Sequence, residues 1–331
     1  MILQYHHVDE ATPASTSTTP ARFAEHMAYL QEHEFTVMAL PELLDALKDG
    51  RSLPEKTVAI TFDDGYDSIY REAFPVLKKH GYPFTVFLNT APMEAKGFLS
   101  WAQVQEMIDS GASMANHTVN HPHLVRKRED ESEEQWQVRI RSELKDAQRE
   151  IVKHTGQDYP ILAYPYGEFD ARVKGLVESL GFIGVGQHSG AVGRNSDWLA
   201  LPRFPMGGNY AAMDSFATKV NTLPLPLEQV KRLDREGKAL SDAVVRAGER
   251  PQLILQLASK SLAQALQCYQ QGKALPGKVE GASVHVRAEQ ALTPGRSRFN
   301  CTARDEKTGR YYWYSEPWLV SSKEGQWVHE E

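Results

Sequence analysis

The amino-acid sequence predicts a parallel α/β fold over about the first two-thirds of the chain and a small, mostly-β module after it. Short apolar runs rich in β-branched residues alternate with helical patterns as far as residue 221, as in a parallel sheet covered by helices. Beyond residue 251 the pattern changes to short strand-like runs separated by Gly, Pro and Asp turns, which suggests a sandwich. The 331 residues are enough for two domains, which we place at residues 1–222 and 223–331.

The elements of the first domain follow from these runs in chain order. Strands are predicted as short apolar runs at residues 2–8, 35–38, 57–62, 84–88, 112–115, 160–164 and 183–186. Helices are predicted at residues 20–30, 41–48, near 68–80, at 101–110, 126–154, 172–180 and up to about 221. The helix at 126–154 is heavily charged and has apolar residues at helical spacing, so we interpret it as a solvated amphipathic helix.

The second domain is predicted to begin with an extended linker. Residues 223–227 read Leu-Pro-Leu-Pro-Leu, and proline keeps such a run out of a helix. Strands are then predicted at residues 252–257, 282–289, 298–303 and 311–315. The aromatic residues at 311–314 and Trp318 could form a sugar-stacking face, although core packing is the more common use of such side chains.

Composition and charge exclude some classes of protein. The formal net charge is −6, which argues against a general nucleic-acid-binding protein. No apolar run approaches the roughly 20 residues of a membrane-spanning helix. A strand-like segment begins at Ile2 in place of a recognisable secretory signal, although Met1 could stand where a signal peptide has been removed. Nothing in these patterns indicates an oligomeric state.

Two adjacent carboxylates, Asp63 and Asp64, end the strand-like run 57–62 and precede Gly65. Asp-Gly pairs are common in turns, so a simple turn is one interpretation. Carboxylates held this close resist joint ionisation unless a cation separates their roles. Because sites in parallel α/β folds gather at the carboxyl ends of strands, the pair is also a candidate for chemistry.

Two histidines, His117 and His121, follow another strand-like run and are four residues apart. This spacing places two imidazoles on one face of a helix or helical turn, where they can chelate one metal ion. A lone histidine is more often structural, but the carboxylate pair strengthens the metal interpretation. Two imidazoles and one carboxylate, with a position left for water, occur in catalytic zinc sites.

Three segments, TFDDG at 61–65, HTVNH at 117–121 and YPYG at 164–167, together resemble the signature of the polysaccharide deacetylases (NodB homology, carbohydrate esterase family 4). The Tyr5-His6 segment is similar to the opening of the envelope poly-N-acetylglucosamine deacetylases of that family. The resemblance covers about two-thirds of the chain. It implies a distorted, incomplete (β/α) barrel and a metal-dependent N-deacetylase.

The resemblance also assigns roles to matching residues. Asp64, His117 and His121 would hold one divalent ion, preferably Zn²⁺, with Co²⁺ or Ni²⁺ as alternatives. Asp63 would stay off the metal as general base. The backbone N–H of Tyr166 would stabilise the oxyanion formed on the acetamide.

Two departures from the family pattern matter. Ala163 stands where the family has an arginine that orients the base, and we predict that Arg203 replaces it. The family commonly supplies its general acid as a late histidine in a recognisable motif, which is lacking around the later histidines, His188, His285 and His329. We therefore prefer His6 as the acid, with simple hydrogen bonding as its alternative role and His188 as second choice. His7 is expected to be structural.

We expect an N-deacetylase that acts on N-acetylglucosamine units of an envelope or biofilm polysaccharide. Tyr66, Tyr166 and Trp198 are candidate aromatic platforms for the glycan. One alternative is deacetylation of peptidoglycan or chitin-type oligomers. Another, motivated by the missing arginine at position 163, is a carbohydrate-binding protein without turnover.

The resemblance to envelope enzymes implies a periplasmic, envelope or secreted location. The residues alone leave Cys268 and Cys301 open as a disulfide or as two buried thiols. The resemblance tips this choice toward the disulfide.

Overall fold

The computed structural model describes residues 1–327, and these fall into two compact units. The first unit comprises residues 1–187 and 192–221. The second comprises the chain from residue 222 onward together with residues 188–191. His329 and the rest of the predicted second domain after residue 327 lie outside the described residues. Across residues 1–327, every helix is too short or too polar to cross a membrane.

The first unit alternates strands and helices along the chain. In order they are β1 (Ile2–Tyr5), β2 (His7–Val8), β3 (Ser17–Thr18), α1 (Pro20–Glu32), β4 (Thr36–Val37), α2 (Leu40–Lys48), β5 (Thr57–Phe62), α3 (Phe74–His80), β6 (Phe84–Leu88), α4 (Trp101–Asp109), β7 (Ala112–Asn116), α5 (Glu133–Thr155), β8 (Ile161–Ala163), α6 (Ala171–Ser179), β9 (Ile183–Val185), β10 (Phe204–Pro205) and α7 (Met213–Val220). A π-helical turn, Ile69–Ala73, precedes α3.

Eight of these strands form one curled sheet. Seven pair in the order β10-β1-β5-β6-β7-β8-β9, and β4 pairs with β5, with every pairing parallel. The segment between β9 and β10 links the two edges, since Leu201 bridges to Val185 of β9 while Phe204 pairs with Leu3 of β1. The predicted parallel α/β fold is confirmed.

Alternate residues of the strands point into the curl of this sheet, as in a barrel. The layer nearest α2 is apolar and includes Ile2, Ala59, Phe87, Ala115, Ala163, Val185 and Leu201, packed with Leu40, Leu43 and Leu44. Toward the carboxyl ends of the strands the buried residues become polar, with Gln4, Thr61 and Arg203. The candidate functional residues therefore stand on a buried polar layer.

Helix α5 begins later than the sequence predicts. Residues 126–132 are irregular, and the helix begins after Ser132, whose hydroxyl accepts a hydrogen bond from the N–H of Gln135. The Gln135 side chain accepts in return from the N–H of Ser132, which completes a capping box. Charge alone did not mark this start, because the charged pattern continues across the cap.

Up to residue 327, the second unit contains ten strands and one helix. They are β11 (Leu223–Pro224), β12 (Leu227–Leu233), β13 (Val244–Arg246), β14 (Gln252–Leu257), α8 (Lys260–Ala265), β15 (Gln267–Gln270), β16 (Lys273–Leu275), β17 (Gly277–Glu280), β18 (Ser283–Arg287), β19 (Gly295–Arg304) and β20 (Tyr311–Ser321). One sheet has the order β11-β20-β19-β15-β16, with β13 also on β20, and the other has the order β12-β14-β18-β17. Inward residues of both sheets share one apolar core. The prediction of a mostly-β C-terminal module is confirmed.

The linker predicted at residues 223–227 is wrong. Leu223 and Pro224 pair with Tyr312 and Trp313 of β20, and Leu225 is buried in the core of the second unit. Proline is tolerated here because β11 is an edge strand, where a missing N–H breaks no ladder on its outer side. The segment is extended, as predicted, but it belongs to the sheet.

Side chains of the predicted sugar-stacking run divide between core and surface. Trp318 is fully buried, and Tyr312 and Tyr314 pack against the same core, whereas Tyr311 is 42% exposed. Core packing therefore accounts for most of these aromatics, as the sequence favours. Cys268 and Cys301 lie opposite each other on β15 and β19 and form a disulfide.

Candidate functional site

Three potential metal ligands converge at the carboxyl end of the curled sheet. Asp64 follows β5, His117 follows β7, and His121 comes four residues later; one ligand atom of each lies within 4.8 Å of the others. His117 Nε2 is 3.2 Å, and His121 Nε2 3.5 Å, from Asp64 Oδ1. Within residues 1–327, Asp64 Oδ1 and His117 Nε2 are buried without a hydrogen-bond partner. Since buried polar atoms are normally paired, this cluster fits a cation.

Hydrogen bonding and electrostatics suit these residues to a metal. His117 Nδ1 lies 2.8 Å from the carbonyl oxygen of Ala163, so this nitrogen donates and Nε2 faces Asp64. Burial and the neighbouring His117 lower the pKa of His121 to about 4, which keeps that imidazole neutral. Burial opposes ionisation of Asp64, but the adjacent imidazoles hold the pKa of that carboxyl far below its usual range. Two nitrogens and one carboxylate oxygen form a donor set that zinc accepts.

Burial also lowers the pKa of His117, but the carboxylates of Asp64 and Asp63 outweigh it and raise that pKa overall. A proton on His117 Nε2 and a divalent cation would therefore compete for the same position between the imidazole and Asp64.

The two histidines lie on an irregular loop and not on the predicted helical turn. Thr118 and His121 both have positive φ angles, 69° and 51°, which non-glycine residues seldom adopt. Two side chains hold this conformation: Asn116 Oδ1 accepts from the N–H of Thr118 at 2.9 Å, and Thr118 Oγ1 accepts from the N–H of His121 at 3.0 Å. The two imidazoles converge because the chain turns back on itself between them.

Glu143 of α5 ties the middle of this loop to the fold. Its Oε2 accepts hydrogen bonds of 3.0 Å from the backbone N–H groups of both Val119 and Asn120, and its Oε1 accepts from the Asn120 side chain at 2.8 Å. The side chain is buried. The sequence offered no sign of this role, because Glu143 is one of many charges in a helix predicted to be solvated.

Asp63 lies next to Asp64 in sequence but has different partners. Arg203 donates from Nη1 to Oδ1 and from Nη2 to Oδ2, both at 2.7 Å, and both side chains are fully buried. Gln4 Nε2 donates to Oδ2, also at 2.7 Å. Burial would raise the pKa of Asp63, but the charges of Arg203 and His117 lower it to about 2. Asp63 is therefore ionised at neutral pH.

The position of Arg203 follows from the closure of the sheet. It lies between Leu201, which bridges to β9, and Phe204, which pairs with β1. Its Nε donates to the carbonyl oxygen of Gly186 at 2.8 Å, and Nη1 also reaches Thr61 Oγ1 at 3.1 Å. The structure thus brings this arginine to Asp63 from a segment far from Ala163.

Two histidines follow β1 at the rim of the site. His6 Nε2 lies 3.8 Å from Asp63 Oδ2, and its side chain is 19% exposed. The ring of His7 stacks on the ring of Tyr66 at 3.6 Å between centroids. His6 therefore lies beside Asp63, while the ring of His7 packs on Tyr66.

Two of the three predicted aromatic platforms lie beside the ligand cluster. The ring of Tyr166 is 4.5 Å from the ring of His121 and stacks on His123 at 3.8 Å. Tyr66 is half-buried, and burial together with the nearby Asp64 raises the pKa of its hydroxyl. Tyr166 has φ 59° and ψ 2°, a left-handed conformation that redirects the chain after Pro165.

Trp198 is not brought to this group, so its predicted substrate contact is not supported. Its side chain packs with Met38, Leu47 and Ile183 against the apolar cluster of α2 and the sheet interior. The nearby Asp197 pairs with Lys174. The chain at Trp198 passes along the apolar layer, away from the candidate ligands.

The other histidines considered as acids have different surroundings. His188 is buried in the segment 188–191 that groups with the second unit. His285 lies on β18 of the second unit, 3.6 Å from Glu280. His6 is thus the candidate acid that the structure brings to Asp63.

Comparison with known proteins gives consistent similarities. The sequence model of the family described as polysaccharide deacetylase matches residues 50–185. YxkH of Bacillus subtilis, named for polysaccharide deacetylation, is 30% identical over 203 residues, which cover 61% of this chain and 69% of that protein. The poly-beta-1,6-N-acetyl-D-glucosamine N-deacetylase of Staphylococcus aureus is 26% identical over 194 residues, 56% of this chain and 67% of that protein.

Solved structures show the same likeness. The Streptococcus pyogenes deacetylase PplD, in complex with acetate, superposes with a TM-score of 0.59 and 25% identity over 66% of this chain and 96% of that one. IcaB from Ammonifex degensii superposes with a TM-score of 0.58 and 26% identity, over 66% of this chain and 95% of that one. These structures share the curled sheet.

Replacing Glu143 with alanine should weaken divalent-metal binding about 10- to 100-fold, because the loop between the two histidines loses its anchor. Zinc affinity measured by competition with a chelator tests this expectation. Glu150→Ala is the matched control, since Glu150 is on the same helix and pairs only with neighbours there among the described contacts. A folded Glu143→Ala protein with wild-type zinc affinity would show that the loop holds itself.

Proposed function

This chain belongs to the polysaccharide deacetylase family, and from that premise we propose that it removes acetyl groups from N-acetylglucosamine units of an envelope or biofilm polysaccharide. The observation that carries the proposal is the buried, ionised Asp63, held by Arg203 beside the Asp64, His117 and His121 cluster. The S. aureus relative, named for poly-β-1,6-N-acetylglucosamine, supports the substrate class. The reaction is hydrolysis of an amide C–N bond to give acetate and a free amine.

Asp64, His117 and His121 would hold one divalent ion. The N₂O donor set and the neutral His121 favour Zn²⁺, while Co²⁺ and Ni²⁺ suit the same ligands. When bound, the ion supplies a water of lowered pKa and polarises the acetamide carbonyl.

Asp63 would accept the proton of the attacking water. A carboxyl with a pKa of about 2 is a weak base toward bulk water, but it suffices for a water made much more acidic. Oδ2 of Asp63 already accepts from Arg203 and Gln4, whereas Oδ1 accepts only from Arg203 among the contacts of residues 1–327. Oδ1 therefore has the more available lone pair for this proton.

His6 would protonate the leaving nitrogen, because an amide anion is too basic to depart by itself. Its Nε2 lies near Asp63 Oδ2 and is accessible from the rim. The backbone N–H of Tyr166 would stabilise the developing oxyanion, in the left-handed turn that sets its direction. The rings of Tyr66 and Tyr166 flank the ligand cluster and would contact the sugar.

The competing function is a carbohydrate-binding protein without turnover. The argument for it is that position 163 lacks the family arginine that orients the base. The contact between Arg203 and Asp63 weakens this argument, because another arginine contacts the same carboxylate. We further propose that residues 1–222 are the catalytic domain and residues 223–331 an accessory domain. The disulfide between Cys268 and Cys301 suits an oxidising periplasmic, envelope or extracellular location.

The function is tested by acetate release from a panel of β-1,6- and β-1,4-linked acetylated glucosamine polymers and oligomers. We expect zinc-loaded enzyme to release acetate, with β-1,6-linked chains preferred. Asp63→Asn should lower the rate at least about 100-fold while zinc content is unchanged, because the substitution removes the proton acceptor. Bound zinc with no acetate from any substrate would favour the binding protein, and preference for β-1,4-linked chains would favour the peptidoglycan or chitin-type alternative.

Replacing Arg203 with methionine should move the acid limb of the kcat/KM profile upward by about 1–3 pH units, because the guanidinium no longer opposes the effect of burial, which raises the pKa of Asp63. In the wild type the folded pKa of about 2 lies below the unfolded value of 3.8. The ionised carboxylate thus stabilises the fold above about pH 4, and this contribution is lost as the pH falls through 2.

Arg203→Lys should shift the acid limb of the kcat/KM profile less than Arg203→Met does, and the exposed Arg149→Met should leave it unchanged. An unmoved limb in Arg203→Met would mean that Arg203 does not set the ionisation of the base.

Replacing His6 with alanine should lower kcat about 100-fold or more on acetylated glucosamine oligomers, with normal zinc content, because the leaving amine loses its proton donor. The loss should be much smaller on an acetanilide whose amine is a weak base, since that nitrogen leaves without full protonation. His33→Ala, at an exposed histidine outside the site, is the control and should leave both rates unchanged. Equal losses on both substrates would rule out proton donation by His6.

A further inference from the structure

Asn89 occupies a position in the site that neither the motifs nor the metal cluster explains. It is the first residue after β6, the strand between those that lead to Asp63 and to His117. Leu88 pairs with Asn116 of β7, and the N–H of His117 donates to the carbonyl oxygen of Leu88 at 3.0 Å. The next residue on each strand, Asn89 and His117, are therefore neighbours.

The pairing also sets the direction of the Asn89 side chain. Paired residues of adjacent parallel strands project to the same face, and successive residues alternate between faces. His117 projects into the curl, as does Phe87, two residues before Asn89. The N–H of Thr90 bonds to the carbonyl oxygen of Thr118 at 3.2 Å, so the strand is still held against the histidine loop beyond Asn89. Asn89 accordingly faces the mouth of the sheet beside the ligand cluster.

No hydrogen-bond donor among the described residues reaches the side-chain amide oxygen of Asn89. The side chain is 7% exposed, and Oδ1 is buried without a hydrogen-bond donor among the residues the structure describes. Asp64 Oδ1 and His117 Nε2, on the two flanking strand ends, share this condition. A cation would account for those two atoms, and the neutral amide oxygen of Asn89 can accept a hydrogen bond from an N–H or O–H donor.

The proposed substrate offers one such donor next to the reacting carbon. An acetamide carries its N–H on the atom bonded to the carbonyl carbon under attack, whereas an O-acetyl ester has an oxygen there. During hydrolysis water adds to that carbon, the C–N bond breaks, and nitrogen gains one proton from the general acid. The original N–H stays on nitrogen throughout, so an acceptor beside it serves substrate, intermediate and amine alike.

We propose that Asn89 Oδ1 accepts a hydrogen bond from the N–H of the scissile acetamide and makes the site selective for N-acetyl over O-acetyl substrates. The proposal rests on the deacetylase function argued above. An ester would turn oxygen lone pairs toward Oδ1 and leave it unpaired in a buried position. A site that bonds a substrate N–H discriminates strongly against analogues that lack it.

The experiment compares Asn89→Leu, Asn89→Ala and Asn89→Asp with the wild type on N-acetylated glucosamine oligomers and on O-acetylated oligosaccharides. Leucine has nearly the same shape but accepts nothing, and we expect a 10- to 100-fold lower kcat/KM on the amide with an equal or higher value on the ester. Alanine should show the same change of ratio if leucine impairs folding. Aspartate keeps an acceptor oxygen and should keep the preference for the amide.

A control variant and the activity of the wild type distinguish failure of the proposed Asn89 role from failure of the proposed deacetylase function. Ser113→Ala, another buried polar residue of the sheet, should leave the ratio of amide to ester unchanged. A parallel loss on both substrates in the leucine and alanine variants, or a loss of bound zinc, would overturn the proposed role of Asn89. Activity on acetylated glucosamine oligomers in the wild type, with an unaltered ratio in the variants, would overturn it while leaving the deacetylase function intact. A wild type inactive on every N-acetyl substrate would overturn both.

Discussion

Asp63 and Arg203 are both fully buried, and neither charge would be stable there without the other. The guanidinium spans both carboxylate oxygens, and Gly186, Thr61 and Gln4 complete the hydrogen bonding of the pair. The two residues are 140 positions apart, one at the end of β5 and the other on the segment that joins the edges of the sheet. Their contact therefore couples closure of the sheet to ionisation of Asp63. If the sheet opened at this segment, the Asp63 carboxylate and the Arg203 guanidinium would each lose their partner.

The remaining parts of the site are held by Thr118 of the second motif and by neighbours outside the three motifs. The histidine loop keeps two positive-φ residues because Asn116, Thr118 and Glu143 accept its backbone N–H groups. His117 is oriented by the carbonyl oxygen of Ala163, so the position where the family arginine is missing still contributes through its backbone. This arrangement places the three candidate ligand atoms close together and leaves two of them, Asp64 Oδ1 and His117 Nε2, buried without a hydrogen bond within the described part of the chain.

The two adjacent carboxylates have different surroundings, which suit them to different roles. Asp64 faces the imidazoles, whereas Asp63 faces a guanidinium, an amide and His6. Both are ionised, but a cation would neutralise only Asp64. In a regular strand Asp64 would project to the face opposite Asp63. Its positive φ of 72° breaks this alternation, so both carboxylates lie at the same end of the sheet, where they contact different partners.

The sequence by itself determined the parallel α/β class, the mostly-β module, the family and the cluster of Asp64, His117 and His121. These depend on short-range patterns: apolar runs with their period, adjacent carboxylates, and histidines four apart. It also suggested Arg203 as the charge partner of Asp63, because the family arginine is missing at position 163. Only the tertiary structure decided which distant side chains meet at the site. Glu143, Gln4 and Asn89 belong to none of the three motifs, and Trp198, predicted as a sugar platform, packs against the apolar layer. Whether a buried polar atom finds a partner depends on strand register and on sheet closure, which join residues far apart in the chain.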